Sequence, residues 1–308
     1  MEYVDCNLCN SNKCTIFKKI GGYRIVKCKQ CGLIYLNPRP TEQEINKGYS
    51  PEYHIEKLLR REPKTEEEIE EEINKNVVRA EEILREFGNE GKLLDIGCGA
   101  GFFIACLERY DWEVKGIDIS EWASEFARNK LGLDVFTGSI EDIQFNGRFD
   151  VITMYHILEH LLDPLSTLKR VFEIITDRGV LIIKGPNLAS FDRRWHGTNW
   201  RGYDLPYHLY HFTPKTYRMI LEKANFSVQK IIFQQWDSIA HLEEMMLGDG
   251  IRADHPPEAV ERFNKNNLNT LYNDSIFRVI NKIMYIMTKL LNSKGRDVTI
   301  YAKKRDGL

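Results

Sequence analysis

The sequence predicts an α/β fold built on a doubly wound, mostly parallel sheet. A small cysteine-bearing unit stands ahead of it, and a helical insertion lies near its C-terminal end. Three observations carry that prediction. From residue 92 onward, short apolar runs alternate with helix-like stretches, as in a sheet whose crossover helices cover both faces. A glycine-rich loop follows the first of those strands and opens a helix. Two Cys-x-x-Cys pairs fall within the first 31 residues.

Composition narrows the class. Of 308 residues, 43% are hydrophobic and 29% charged, a globular balance that argues against wholesale disorder. The formal charge of −2 disfavours extended phosphate-backbone contacts, so no nucleic-acid partner is expected. No apolar run reaches the roughly 18 residues of a transmembrane helix. Met1-Glu2-Tyr3-Val4-Asp5 lacks the basic and apolar regions of a secretory signal. A cytoplasmic protein is the expectation.

In a reducing compartment the seven cysteines call for metal or burial rather than disulfides. Cys6-x-x-Cys9 and Cys28-x-x-Cys31 are separated by 18 residues, a spacing that suits a tetrahedral Zn²⁺ ribbon. The segments 16–20 and 23–27 read as hairpin strands joined at Gly21-Gly22. Cys14 is left out of the ligand set, and Cys98 and Cys106 read as buried small residues. Four thiolates close the coordination shell, so the metal is expected to be structural.

The ribbon is assigned to residues 1–40 and a helical connector to 41–90. Within the connector, Ile69, Ile73, Val77, Ala80 and Leu84 recur at helical spacing and predict one helix with a solvated acidic face, ending near Gly88. The α/β domain is assigned to 91–237 together with 296–305. Its strands are expected at 92–96, 113–117, 134–137, 149–154 and 179–184, and its helices at 102–110, 121–131, 164–175 and 216–224. Two late strands follow, at 228–236 and 298–303. Residues 238–295 form the helical insertion. Its segment 276–291 carries a wide apolar stripe broken by Arg278, Lys282 and Lys289. That segment reads as a packed helix or a homodimer contact, with peripheral membrane docking as a weaker reading.

The chemistry concentrates after the first strand of the sheet. Asp95-Ile96-Gly97-Cys98-Gly99-Ala100-Gly101 is a G-x-G-x-G loop with an acid two residues before its first glycine. An acid there repels a pyrophosphate but suits a ligand carrying an ammonium and a sulfonium, as S-adenosylmethionine does. Asp118 ends the next strand, 17 residues after Gly101, where a carboxylate can accept from both hydroxyls of a ribose. Ser120 reads as a cap for the helix that follows.

On these motifs, residues 92–185 resemble the core of the class I S-adenosylmethionine-dependent methyltransferases. The resemblance continues through Gly138–Asp142, Phe149–His156, Ile157–His160 and Arg178–Ile183. It implies a Rossmann-like seven-stranded sheet closed by an antiparallel pair. It also implies a cofactor held by Asp95, Gly97, Gly99, Gly101, Asp118 and Ile119, with Ile140 and Glu141 beside the adenine. The loop at 138–142 departs from the family by placing Ser139 where an acid is usual.

The four-cysteine ribbon, Gly185-Pro186-Asn187, and the stretch from Trp200 to Thr213 resemble more narrowly the sugar C- and O-methyltransferases of glycan and antibiotic pathways. They are more loosely similar to quinone-pathway O-methyltransferases. The narrower resemblance implies a sugar or glycan acceptor and a histidine general base. His208 is the favoured base, with His211 second and His156 also in reach of the acceptor. Tyr155, His160, Asn187, Trp200, Arg201 and Tyr207 are the expected acceptor residues, and the aromatic and arginine-rich loop around Trp200 is expected to close over the acceptor. Two alternatives stay open. One is O-methylation of a quinone precursor or other small metabolite; the other is a ribbon-based binding module with an inactive core. The intact Asp95, glycine set and Asp118 argue against the second.

Overall fold

The computed structural model of the chain describes residues 1–48, 63–233 and 295–305 and contains two sheets. The smaller one pairs β1 (Cys14–Ile20), β2 (Tyr23–Cys28), β3 (Ile34–Leu36) and β9 (Tyr210–His211) in that order, all antiparallel. The predicted hairpin is present, turning at Gly21-Gly22. β9 was not expected. It comes from the far side of the chain and docks on β3, Ile34 facing His211 and Tyr35 facing Tyr210.

The larger sheet has seven strands, as the resemblance implied. They are β4 (Gly91–Ile96), β5 (Trp112–Asp118), β6 (Val135–Thr137), β7 (Phe149–Tyr155), β8 (Ile175–Pro186), β10 (Phe226–Phe233) and β11 (Asp297–Lys304), in the order β10-β11-β8-β7-β4-β5-β6. The five from β4 to β8 run parallel, and β11 and β10 close one edge antiparallel. The central strands are apolar on both faces because helices cover both. Leu94, Ile96, Ile152 and Leu181 join a core with Leu168, Tyr217 and Phe226 that runs on into Cys6, Leu33 and Tyr35 of the small sheet. Leu93, Val151 and Ile182 pack on the other side against Ile73, Ala80, Ile83, Ile104 and Leu107.

Between the sheets and on their faces lie α1 (Glu42–Gly48), α2 (Glu66–Asn74), α3 (Val77–Phe87), α4 (Phe102–Glu108), α5 (Glu121–Leu131), α6 (Pro164–Ile174), α7 (Phe191–His196) and α8 (Pro214–Lys223). The single helix predicted through 69–84 is two. Asn76 donates its side-chain amide to the Glu72 carbonyl at 3.0 Å, a local hydrogen bond that competes with helix continuation. The apolar stripe crosses the break because both halves face the same core.

Ser120 caps α5 through the Ala123 amide, and Gly132 stops it in the left-handed region. Thr213 caps α8 with Pro214 in its first turn, so that helix starts two residues before the predicted 216. β8 begins at Ile175, directly after α6, rather than at 179, because Ile175 already pairs with Phe149. Among the described residues, no helix is long and apolar enough to cross a membrane. The insertion through residue 294 and its 276–291 stripe, with the membrane and dimer readings that rest on it, lie outside the described residues.

Candidate functional site

The glycine loop sits between the C-terminal ends of β4 and β5. Gly97, Gly99 and Gly101 all hold positive φ, at +76°, +56° and +83°. Only the absence of a side chain allows this path: a Cβ on Gly97 would lie 2.0 Å from Ile157 Cδ1, and one on Gly101 2.7 Å from Leu133 Cδ1. Above Gly99 a Cβ would meet nothing within 4 Å, so the loop faces open space there.

Asp118 locks the loop. Its carboxylate accepts the Gly99 amide at 2.8 Å through Oδ2 and the Ser120 amide at 2.8 Å through Oδ1. Asp95 is fully enclosed and accepts from the Thr153 hydroxyl at 2.5 Å. Burial pushes its carboxyl pKa up, and Arg79 and Thr153 pull it back.

Arg79 was missed by sequence reasoning, because no local motif links α3 to a strand end sixteen residues later. Its guanidinium carbon lies 3.5 Å from the ring centroid of Phe103 and 3.4 Å from that of Tyr155, and its buried Nε has no hydrogen-bond partner. An open glycine cradle, two acids and a cation with spare donor capacity fit a zwitterionic sulfonium donor. Ile119 adds an exposed apolar surface beside Asp118, and Ile140 is buried beneath the 138–142 loop. Glu141 is already engaged: one oxygen accepts from Thr167 at 2.6 Å and the other from Ser139.

Beyond β7 the histidines gather. His156 is 44% exposed and holds φ +57°, a strained value for a residue other than glycine. Its amide donates to the Lys184 carbonyl at 2.7 Å, which ties it to β8. Its Nδ1 lies 3.5 Å from Glu159 Oε1, and its Nε2 lies 3.9 Å from Asp297 Oδ2. Glu159 itself is only 1% exposed, and neither carboxylate oxygen has a hydrogen bond. Burial works against its charge, yet the imidazoles of His156, His208 and His160 hold its pKa down at about 2.

His160 and His208 meet edge to face, with centroids 4.5 Å apart. Glu159, His160 and His208 each place one ligand-type atom within 4.8 Å of the others. Burial lowers the His160 pKa to about 4 and that of His211 to about 3, so both imidazoles are neutral at pH 7. The Nδ1 of His208 pairs with the Gly202 carbonyl at 2.9 Å.

The expected acceptor set divides. His156, His160 and His208 gather around Glu159 just beyond β7, whereas the Tyr155 ring lies against Arg79 and Phe103 beside Asp95. Asn187 does not face a crevice; it is buried and donates to the Gly295 carbonyl at 3.1 Å. Trp200 is a correction. It is 2% exposed, donates Nε1–H to Asp192 at 2.8 Å and packs with Tyr203, Ile25, Ile34 and Leu188. Trp200 and Tyr203 pack against Ile25 and Ile34 of the small sheet, where a large ring buries its apolar surface rather than standing over a crevice. Arg201 is exposed and Tyr207 half-buried on the same segment.

In the ribbon, Cys6, Cys9, Cys28 and Cys31 converge, with all four sulfurs within 4.8 Å of one another and Cys14 outside the set. Cys6 and Cys31 are 3.4 Å apart, and Cys9 and Cys28 3.5 Å. A tetrahedral Zn–S₄ centre needs sulfurs about 3.8 Å apart, so the cluster fits such an ion with a small expansion. Burial disfavours the Cys28 thiolate, but the amides of Cys31 and Gln30 bring its pKa down to about 7. Burial pushes Cys31 up to about 11 and Cys6 higher still. A cation among them would offset the crowding of four sulfurs at this spacing.

Comparison with known proteins agrees with this geometry. Residues 65–231, more than half of the chain, match the family model described as a methyltransferase domain. A ubiquinone biosynthesis O-methyltransferase from Actinobacillus pleuropneumoniae is 36% identical over 107 residues, covering 31% of this chain and 46% of the relative. One from Xanthomonas campestris is 25% identical over 167 residues, covering 49% of this chain and 70% of the relative. The matched stretch spans about half the length of several curated relatives. The crystal structure of a SAM-dependent methyltransferase from Archaeoglobus fulgidus superposes with a TM-score of 0.53 at 22% identity, covering 83% of this chain and all of that one, which shows a shared fold. With more than half its length in the matched domain, this chain belongs to the class I S-adenosylmethionine-dependent methyltransferase domain family.

Proposed function

We propose that the chain methylates an oxygen of a small-molecule acceptor, with His156 taking the acceptor's proton. The observation that carries this reading is the place of His156. It is the exposed histidine of the cluster, it directly follows β7, the strand next to β4, and the following residue, Ile157, packs directly on Gly97. His208 is only 8% exposed and His211 is more enclosed, which makes them supports of the site rather than its base. The relatives that match the core are named as ubiquinone biosynthesis O-methyltransferases, which supports a hydroxylated aromatic acceptor over the sugar expected from the sequence.

When bound, S-adenosylmethionine supplies an electrophilic methyl group. The chain's part is to hold and orient. The Gly97–Gly101 loop and Asp118 would seat the nucleoside side, and Asp95 with Arg79 the amino-acid side. Alignment of this kind is worth up to about 7–11 kcal/mol of the barrier. A base near the acceptor hydroxyl typically adds 10²–10⁴-fold. The four-cysteine cluster is proposed to hold a structural Zn²⁺, since no position of the shell is left for a reacting group.

A sugar acceptor keeps one supporting observation: Trp195 is exposed beside Phe191, with Arg194 on the same short helix. The experiment is to incubate the purified chain and S-adenosylmethionine with a panel of catechols and nucleotide sugars and follow the mass gain of one methylene. Transfer to a catechol supports the main reading. Transfer confined to nucleotide sugars would replace it.

A further inference from the structure

Glu159 has a side chain that the reaction as described does not use. It is the third residue after His156, buried to 1% exposure, and its two carboxylate oxygens lack a hydrogen bond. Its backbone is heavily used: the Glu159 carbonyl accepts from Leu209 at 2.8 Å and from Tyr210 at 3.1 Å, which brings His208 against it. Gly185 leaves the room, because a Cβ there would lie 2.3 Å from the Tyr217 hydroxyl and 3.2 Å from Glu159 Oε2. A buried carboxylate without donors is costly, and the cost is offset only by a cation that forms beside it. The nearest group able to become one while facing the crevice is the His156 imidazole, 3.5 Å away through Nδ1.

We propose that Glu159 is a positioning residue for His156. It holds Nδ1–H toward itself, leaves the Nε2 lone pair for the acceptor hydroxyl, and stabilises the imidazolium formed when that proton is taken. The proton moves from the acceptor oxygen to Nε2 as the oxygen–methyl bond forms and the sulfonium–methyl bond breaks, its electron pair staying on the departing thioether sulfur, and Glu159 stays ionised throughout, as in carboxylate–imidazole pairs elsewhere. The inference rests on His156 being the base. Asp297 also faces His156, at 3.9 Å from Nε2. His160, His208 and Tyr217 face Glu159. None of these reaches Nδ1 of His156 as closely.

The test uses the full chain labelled with ¹³C-histidine. The His156 resonance is identified by its loss in His156→Gln and titrated in wild type, Glu159→Gln, Glu159→Asp and, as control, Asp297→Asn. Glu159→Gln should lower the proton affinity of His156 about tenfold or more, Glu159→Asp should restore part of it, and Asp297→Asn should change it less. Methylation of 3,4-dihydroxybenzoate as aryl probe should slow roughly 10²-fold in Glu159→Gln, with S-adenosylmethionine binding within twofold of wild type.

An unchanged His156 titration in folded Glu159→Gln overturns the proposal. So does a Co²⁺ ion with nitrogen and oxygen ligands that binds wild type and is lost in Glu159→Gln, because Glu159, His160 and His208 would then be metal ligands. Failure of the base assignment looks different: His156→Gln methylates the probe at the wild-type rate while the titration still answers to Glu159.

Discussion

Arg79 Nη2 lies 3.4 Å from Asp95 Oδ1, joining a helix outside the sheet to the acid one residue before the end of its central strand. The pair is shielded by the rings of Phe103 and Tyr155 on either side of the guanidinium. Breaking such a pair leaves a buried charge without its partner. Arg79→Met should therefore lower unfolding free energy by about 2–4 kcal/mol, and Arg79→Met with Asp95→Asn should cost less than the sum of the two single changes. Urea denaturation of the four proteins measures this, and strict additivity would show that the contact carries no coupling.

Asp118 orders the cradle before any ligand arrives, because it accepts amides from both sides of the loop crossing. Asp118→Ala should weaken S-adenosylmethionine binding roughly 10–100-fold, the consequence of about 1–3 kcal/mol for amides left unmet. Asp118→Asn, whose amide oxygen still accepts, should lose less. Calorimetric titration separates the two, and equal losses would point to charge rather than preorganisation.

Gly97 has no room for a methyl group. Gly97→Ala combines left-handed backbone with a clash on Ile157, and should cost about 2–5 kcal/mol. Because Ile157 follows His156, methylation should fall further than the melting temperature alone implies. Trimming the neighbour in Gly97→Ala/Ile157→Ala should return part of the activity.

Acid should unfold this protein early. His160 and His211 stay neutral when folded, their pKa values depressed by burial to about 4 and about 3 from an ordinary 6.5. Below pH 6.5 the unfolded chain therefore binds more protons than the folded one, and stability falls with pH until the folded values are reached. By pH 5 the loss is about 2 kcal/mol for each imidazole. Glu159 adds to it lower down: its folded pKa of about 2 contributes stability above 4.5 that fades as pH drops toward 2. Unfolding free energies measured from pH 7.5 to 4 should show the slope, and His211→Asn should reduce it. A flat profile between 7 and 5 would contradict the assigned burial.

Trp200 should behave as core. Trp200→Ala should destabilise by about 3–5 kcal/mol, and Trp200→Phe by about 1–2 kcal/mol for the lost hydrogen bond to Asp192. In Trp200→Phe the acceptor KM should stay within twofold of wild type. A large rise in KM without a change in melting temperature would return this ring to the acceptor surface.

The shape of the glycine loop and the acids beside it were legible because their requirements are local. The glycines follow one expected strand, Asp118 ends the next, and Ser120 caps α5 as its chemistry dictates. The surroundings of the histidine cluster and of Trp200 were not. Arg79, Glu159 and the burial of Trp200 depend on contacts between residues far apart in the chain, and an aromatic cluster reads the same in sequence whether it faces a ligand or a wall. The single helix drawn through residues 69–84 failed for the opposite reason. Its apolar spacing was real, but one asparagine side chain captured a carbonyl and split it.

The pairing of β3 with β9 means that the N-terminal ribbon is no detachable ornament. Leu36 donates its amide to Leu209, the residue after His208, and Tyr35 sits across from Tyr210. Any event that loosens the four-cysteine cluster, whether oxidation or clipping of the first forty residues, would free an edge strand and let the neighbouring imidazole wander. Thiol reagents acting on Cys6, Cys9, Cys28 and Cys31 would then disturb the histidine cluster from a distance.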